Sequence, residues 1–157
     1  MKRAILALLL GFSLAGSAFA GFEDGMAAWR KGDFKTAASE FRALAERGHA
    51  QAQNNLGYMY ENGEGVPRSD AKAAKWYGKA AAQGITESQN SLGLMYAGGR
   101  GGLELDNVEA LKWLFIAAAR GDSFAKFNRD SIKKKMSPED IAKAESLGKA
   151  WLSANPK

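Results

Sequence analysis

The chain has 157 residues, 46% of them apolar and 25% charged, with 22 basic residues, 17 acidic ones and a single histidine. A net charge of +5 carries solubility rather than a nucleic-acid footprint. With no cysteine there is no disulfide framework and no acylated cysteine anchor, and one histidine leaves little room for zinc or triad chemistry.

Residues 1–20 have the form of a signal peptide. Lys2 and Arg3 precede a short apolar run from Ala4 to Leu14, and Ala18-Phe19-Ala20 supplies the small-x-small cleavage pattern. Gly11, Ser13, Gly16 and Ser17 interrupt the run, which is too short to cross a bilayer. The expectation is cleavage after Ala20, a periplasmic or secreted protein, and no stable membrane insertion. Losing Lys2 and Arg3 leaves 20 basic against 17 acidic residues, a mature net charge of +3 on 137 residues, enough for one domain, 21–157.

In chain order, Met26 and Trp29 lie on a first helical stretch that Gly32-Asp33-Phe34 turns into a second, bearing Ala37, Phe41 and Ala45. His49 follows Gly48 at the start of the next helix, Ala50 to Asn62, where Ala52, Leu56, Met59 and Tyr60 fall at helical spacing. Gly63, Gly65 and Pro67 end it. Ser69 is placed to cap a partner helix carrying Ala73, Trp76, Tyr77 and Ala80 inward, and Gly84 to close it in the left-handed conformation. Leu56, Gly57, Met59 and Tyr60 then recur as Leu92, Gly93, Met95 and Tyr96, and Trp76, Ala80, Ala81 and Gly84 as Trp113, Ala117, Ala118 and Gly121. The one-residue difference in spacing falls in the loop from Ala97 to Gly102, where a stacked repeat tolerates it. Asp106 and Glu109 form a D-x-x-E capping box, and Ser137-Pro138-Glu139-Asp140 opens a last helix that bears Trp151. No stretch alternates with period two, so the chain is all-α. The large apolar contributions are expected from Trp76, Trp113, Tyr60 and Tyr96, with Gly57 and Gly93 letting neighbouring helices approach closely.

The pattern A-x-A-x-x-x-L-G-x-x-Y, a G-x-G-V loop, then K-A-x-x-W-Y-x-x-A-A-x-x-G resembles the sel-one-like repeat (SLR) family, relatives of the tetratricopeptide repeats. Residues 50–84 match throughout, and 85–121 match with the loop insertion and Leu114 in place of the tyrosine. Residues 25–48 resemble a tetratricopeptide-type unit and 122–157 a capping helix pair. The resemblance implies a right-handed α-solenoid of antiparallel helix pairs, acting as a non-enzymatic adaptor that binds a protein or peptide in its groove without a cofactor.

In that register the first helix of each pair lines the concave side. The groove-facing residues are Met26 and Trp29, then Gln51, Asn54, Tyr58 and Glu61, then Glu87, Asn90, Leu94 and Ala97, and finally Phe124, Phe127 and Lys134. None is required by the helix-pair core, so the amides of Asn54 and Asn90 are expected to be available to a bound backbone. Two S-x-x-K matches, Ser69 to Lys72 and Ser131 to Lys134, raise the alternative of a β-lactam-binding hydrolase. No companion S-D-N or K-T-G element accompanies them, and Ser69 is accounted for as a cap. A third alternative is a structural subunit of an envelope secretion or motility complex. Six basic residues between Arg120 and Lys135 face only Asp122 and Asp130, which suits a solvated helix end better than an acidic-partner or membrane patch.

Overall fold

The computed structural model describes residues 21–156, all helix and connecting turn, with no strand among them. The expected leader, 1–20, lies outside the described residues. Helix α1 is helical over 21–30. It is followed by α2 (Phe34–Glu46), α3 (Ala50–Asn62), α4 (Asp70–Ala82), α5 (Thr86–Gly98), α6 (Asn107–Ala119), α7 (Ser123–Lys133) and α8 (Pro138–Ala154). Each helix from α2 onward packs on its sequence neighbour, apart from α8, which packs on α6, and α5 also meets α7. Helix pairs thus stack in sequence order, as in an α-solenoid.

The sequence builds each pair with the same local devices. Helices α2 to α6 are all 13 residues long. Asp33, Ser69, Asp106, Asp122 and Ser137 cap α2, α4, α6, α7 and α8, each accepting from a first-turn backbone N–H. His49 does the same for α3 through Nδ1, 3.1 Å from Ala52 N. The capping box closes on one side only, because Glu109 turns to Lys112 instead of reaching back. Second helices end alike. The N–H of Ile85 bonds Ala80 O at 3.1 Å, with Gly84 at φ 92° between them. That is the geometry glycine permits at no steric cost, and Gly48 and Gly121 repeat it.

Pair packing turns on one glycine in each of α1, α3 and α5. A Cβ on Gly25 would meet the Phe41 ring at 2.7 Å, one on Gly57 the Tyr77 ring at 2.8 Å, and one on Gly93 the Leu114 side chain at 2.8 Å. Each vacated space is filled by the large residue of the second helix, and Phe41, Tyr77 and Leu114 are buried to 2% exposure or less. This corrects the expectation for Trp76 and Trp113. Both are only half-buried, with Lys79 and Lys112 ammonium groups 4.6 Å from the ring centres. They lie on the flank of the core, because the neighbouring position, about 100° round the helix, is the one that meets the glycine.

Candidate functional site

The first helices α1, α3, α5 and α7 lie side by side along the stack, and their outward strip carries the expected groove residues. The strip divides into two halves of different character. In the α1–α3 half the side chains are spent on one another. Trp29 meets Tyr58 edge-on, ring centres 5.9 Å apart, and its Nε1–H donates to Glu64 at 3.0 Å. Asn55 donates to the sulfur of Met26 at 3.5 Å and accepts from Asn54 at 3.4 Å. Asn54 Oδ1 in turn accepts from the Ser88 hydroxyl at 2.6 Å. A polar seam therefore runs from α1 through α3 to α5. The expectation that Asn54 is free of the scaffold does not hold, because its amide joins two repeats.

Glu61 is likewise engaged. It accepts from the buried Tyr77 hydroxyl at 2.9 Å and from Arg100 at 3.0 Å, while Arg100 Nε also donates to Asp70 at 3.0 Å. The Arg100 hydrogen bond holds the Asp70 carboxyl below its usual range, and the same pairing raises the guanidinium. Burial, followed by the Glu61 charge, pushes the Tyr77 hydroxyl far above the normal range of a phenol.

The α5–α7 half is open. Asn90 Oδ1 accepts from Asn128 Nδ2 at 2.9 Å, so Asn90, too, links repeats. The remaining Asn90 Nδ2 and Asn128 Oδ1 have no partner among the described residues. Leu94 is 42% exposed, and between α5 and α7 lies a hollow of about 140 Å³. Leu94, Ala97, Leu114 and Ile132 give it apolar walls, and Ser131 and Lys135 stand at its mouth. Phe124 and Phe127 are 76% and 74% exposed on α7. Phe127 occupies the place in its repeat that Asn54 and Asn90 hold in theirs, facing away from the preceding pair. Gln51 is half-buried, and Glu87 and Lys134 are exposed on the same strip.

In the first S-x-x-K match the serine and the lysine are both engaged in the scaffold. Ser69 Oγ accepts from the backbone of Lys72 at 3.3 Å, while the Lys72 ammonium lies 5.1 Å from the centre of the Tyr60 ring. In the basic stretch, Arg120 is a scaffold residue. It donates to Gly84 O at 3.2 Å and Asn155 O at 2.7 Å and lies over the Trp151 ring. Arg129 pairs with Asp130 and Lys133 with Glu145. Lys134 and Lys135 have no carboxylate partner among the described residues.

Some working residues carry no signal of residue type that points to them. Gln53 and Gln89 are buried and donate to the C-terminal carbonyls Ala45 O and Ala81 O of the preceding second helices, both at 3.0 Å. Each gives a second hydrogen bond to a helix-end carbonyl that already accepts from the N–H of Gly48 or Gly84. Their recurrence one repeat apart is the only trace in the sequence.

The family model of the Sel1 repeat matches residues 50–85 and 86–122. A Sel1 repeat protein from Oxalobacter formigenes is similar over 80% of this chain and 97% of its own, at 33% identity and a TM-score of 0.67. The chain belongs to the Sel1 repeat family. A protective antigen of uropathogenic Escherichia coli strains, displaying an SLR fold, matches 90% of the chain at 32% identity and a TM-score of 0.82. This Sel1 repeat chain spans about a third of that antigen's length, 31%. No curated protein matches it. Sel1 repeats generally serve as protein-interaction scaffolds. No helix among the described residues is long and apolar enough to cross a membrane.

Proposed function

We propose that this Sel1 repeat protein is a non-enzymatic adaptor of the cell envelope that holds a protein or peptide along its first-helix face. The observation that carries the reading is the placement of its exposed apolar side chains. Of the six large apolar side chains exposed among the described residues, four, Tyr58, Leu94, Phe124 and Phe127, stand out from three successive first helices on one strip. Large exposed apolar groups in a contiguous strip mark interaction surfaces.

A photo-crosslinking residue at position 94 or 127 should yield a discrete protein adduct in intact cells, and the same residue at the exposed α4 position 75 should not. Equal labelling from all three positions would remove the face from consideration. The envelope location rests on the leader alone. Intact-mass measurement of protein recovered from the envelope should give a chain beginning at Gly21, and a mass that retains Met1 to Ala20 would overturn the export reading.

A further inference from the structure

The two halves of the first-helix strip are not equally able to take a ligand. We infer that the binding half is the α5–α7 groove, and that its occupant is an acidic, extended protein segment that seats an aliphatic side chain in the hollow beneath Leu94. The inference rests on the proposed use of the first-helix face and names the chemistry of its partner.

Three observations converge on it. First, in the α1–α3 half Trp29, Asn54 and Glu61 each already bond a neighbouring repeat, and the single Trp29 N–H is fully used. Second, the α5–α7 half has both a place for a side chain and a grip for a backbone. The hollow holds about 140 Å³ between apolar walls, and the Asn90–Asn128 pair leaves one amide donor and one carbonyl acceptor unused. An extended peptide offers the complementary N–H and C=O at each residue. Third, charge selects the peptide. Lys135 stands at the mouth of the hollow and Lys134 beside it. Most carboxylates on the elements around them are committed elsewhere: Asp130 to Arg129, Glu145 to Lys133, Glu109 to Lys112, Asp122 to the α7 cap and Asp140 to the Ser137 hydroxyl, while Glu139, in the first turn of α8, makes no ion pair with either lysine. Glu87, exposed, lies in the first turn of α5, at the far end of the groove. Two adjacent uncompensated ammonium groups call for more than one carboxylate, which favours acidic side chains flanking the aliphatic residue over a single chain terminus.

The test is an NMR titration of the uniformly labelled protein to millimolar ligand. The probe is a terminally blocked peptide, acetyl-Asp-Glu-Leu-Glu-Asp-amide. Amide shifts should move around Leu94, Asn128, Ser131 and Lys135 and leave the Trp29 indole N–H in place. Replacing the peptide's leucine by alanine, or its acids by their amides, should weaken binding. A Lys134→Glu, Lys135→Glu double variant, both residues exposed, should bind roughly five- to tenfold more weakly with an unchanged melting temperature. Rising salt should weaken the wild type in the same direction. The inference fails if the amide-substituted peptide binds equally well, or if the shifts gather around Trp29 and Tyr58. It also fails if a neutral peptide ending in a free leucine carboxylate binds while the blocked acidic one does not. Crosslinking from positions 94 and 127 makes no reference to the partner's charge, so adducts there alongside a negative titration would refute this inference and leave the adaptor reading standing.

Discussion

Trp76 and Tyr77 are adjacent on α4, both aromatic, both on the apolar side of the helix, and size alone favours the tryptophan as the core residue. The structure decides for Tyr77 because depth is set by what the facing helix gives up. Gly57 has no side chain, and the Tyr77 ring occupies the space a Cβ would need. A sequence shows the periodic glycine and the two aromatics but not which of two neighbouring directions points at the glycine. Only the recurrence of Phe41, Tyr77 and Leu114 opposite Gly25, Gly57 and Gly93 carries that information. The consequence is a measurable inequality. Tyr77→Ala removes a ring that is 2% exposed and should cost about 3–5 kcal/mol. It also strips the Glu61 carboxylate of its hydroxyl donor. Trp76→Ala removes a half-buried ring and its Lys79 contact and should cost about 1–2 kcal/mol. Thermal melts of the two variants check this. A Trp76 variant that melts lower than the Tyr77 variant would put the tryptophan at the centre of the core after all.

At the scale of elements, helices, caps and closing glycines were legible because they depend on neighbours in sequence. Ser69, Asp106 and Ser137 cap where a cap was expected, and Gly84 closes α4 as its position implied. The turns between a first helix and its partner were legible as turns only. Their side chains act one repeat back, over separations that local pattern does not report. Glu64 in the α3–α4 loop bonds Trp29, and Arg100, at the matching place in the α5–α6 loop, bonds Asp70 and Glu61. The position is shared and the chemistry is not, so the recurrence is invisible at the level of residue type. Arg100 therefore ties the second Sel1 repeat to the first, and the tie is acid-sensitive. The folded state lowers the Asp70 carboxyl, chiefly through the Arg100 hydrogen bond. A lowered value means stability that is fully present above the ordinary aspartate range and is lost as pH falls through the lower folded value. Arg100→Ala should lower the melting temperature by a few degrees at neutral pH. That gap should hold down to about pH 5 and narrow between about pH 4 and 2. A gap that stays constant into the acid range would show that Asp70 contributes nothing through Arg100.

For the whole molecule, stacking in sequence order makes stability a sum of neighbouring contacts with no single centre. The buried side chains divide accordingly into two clusters. One runs from Ala28 to Met95 and the other from Ala110 to Ala144. Tyr96 is half-buried and packs against both. Its hydroxyl is raised by burial and then by Glu109 and Asp106, which keeps the ring neutral at the junction. The same division separates the committed half of the first-helix strip from the open half, so the proposed binding groove draws its floor from the second cluster through Leu114 and Ile132. Removing the shared side chain should therefore change the manner of unfolding as well as its midpoint. Tyr96→Ala leaves the helices α5 and α6 in contact but deletes the one ring that belongs to both cores. Wild-type protein should unfold in urea in one transition, with circular dichroism and tryptophan fluorescence superimposed. The variant should show a reduced m-value and a divergence of the two signals. Trp29 and Trp76 report from the first cluster and Trp151 from the C-terminal helix, so single-tryptophan versions would resolve which end opens first. Superimposed curves with an unchanged m-value in the Tyr96→Ala variant would mean that the α5–α6 interface couples the two cores by itself.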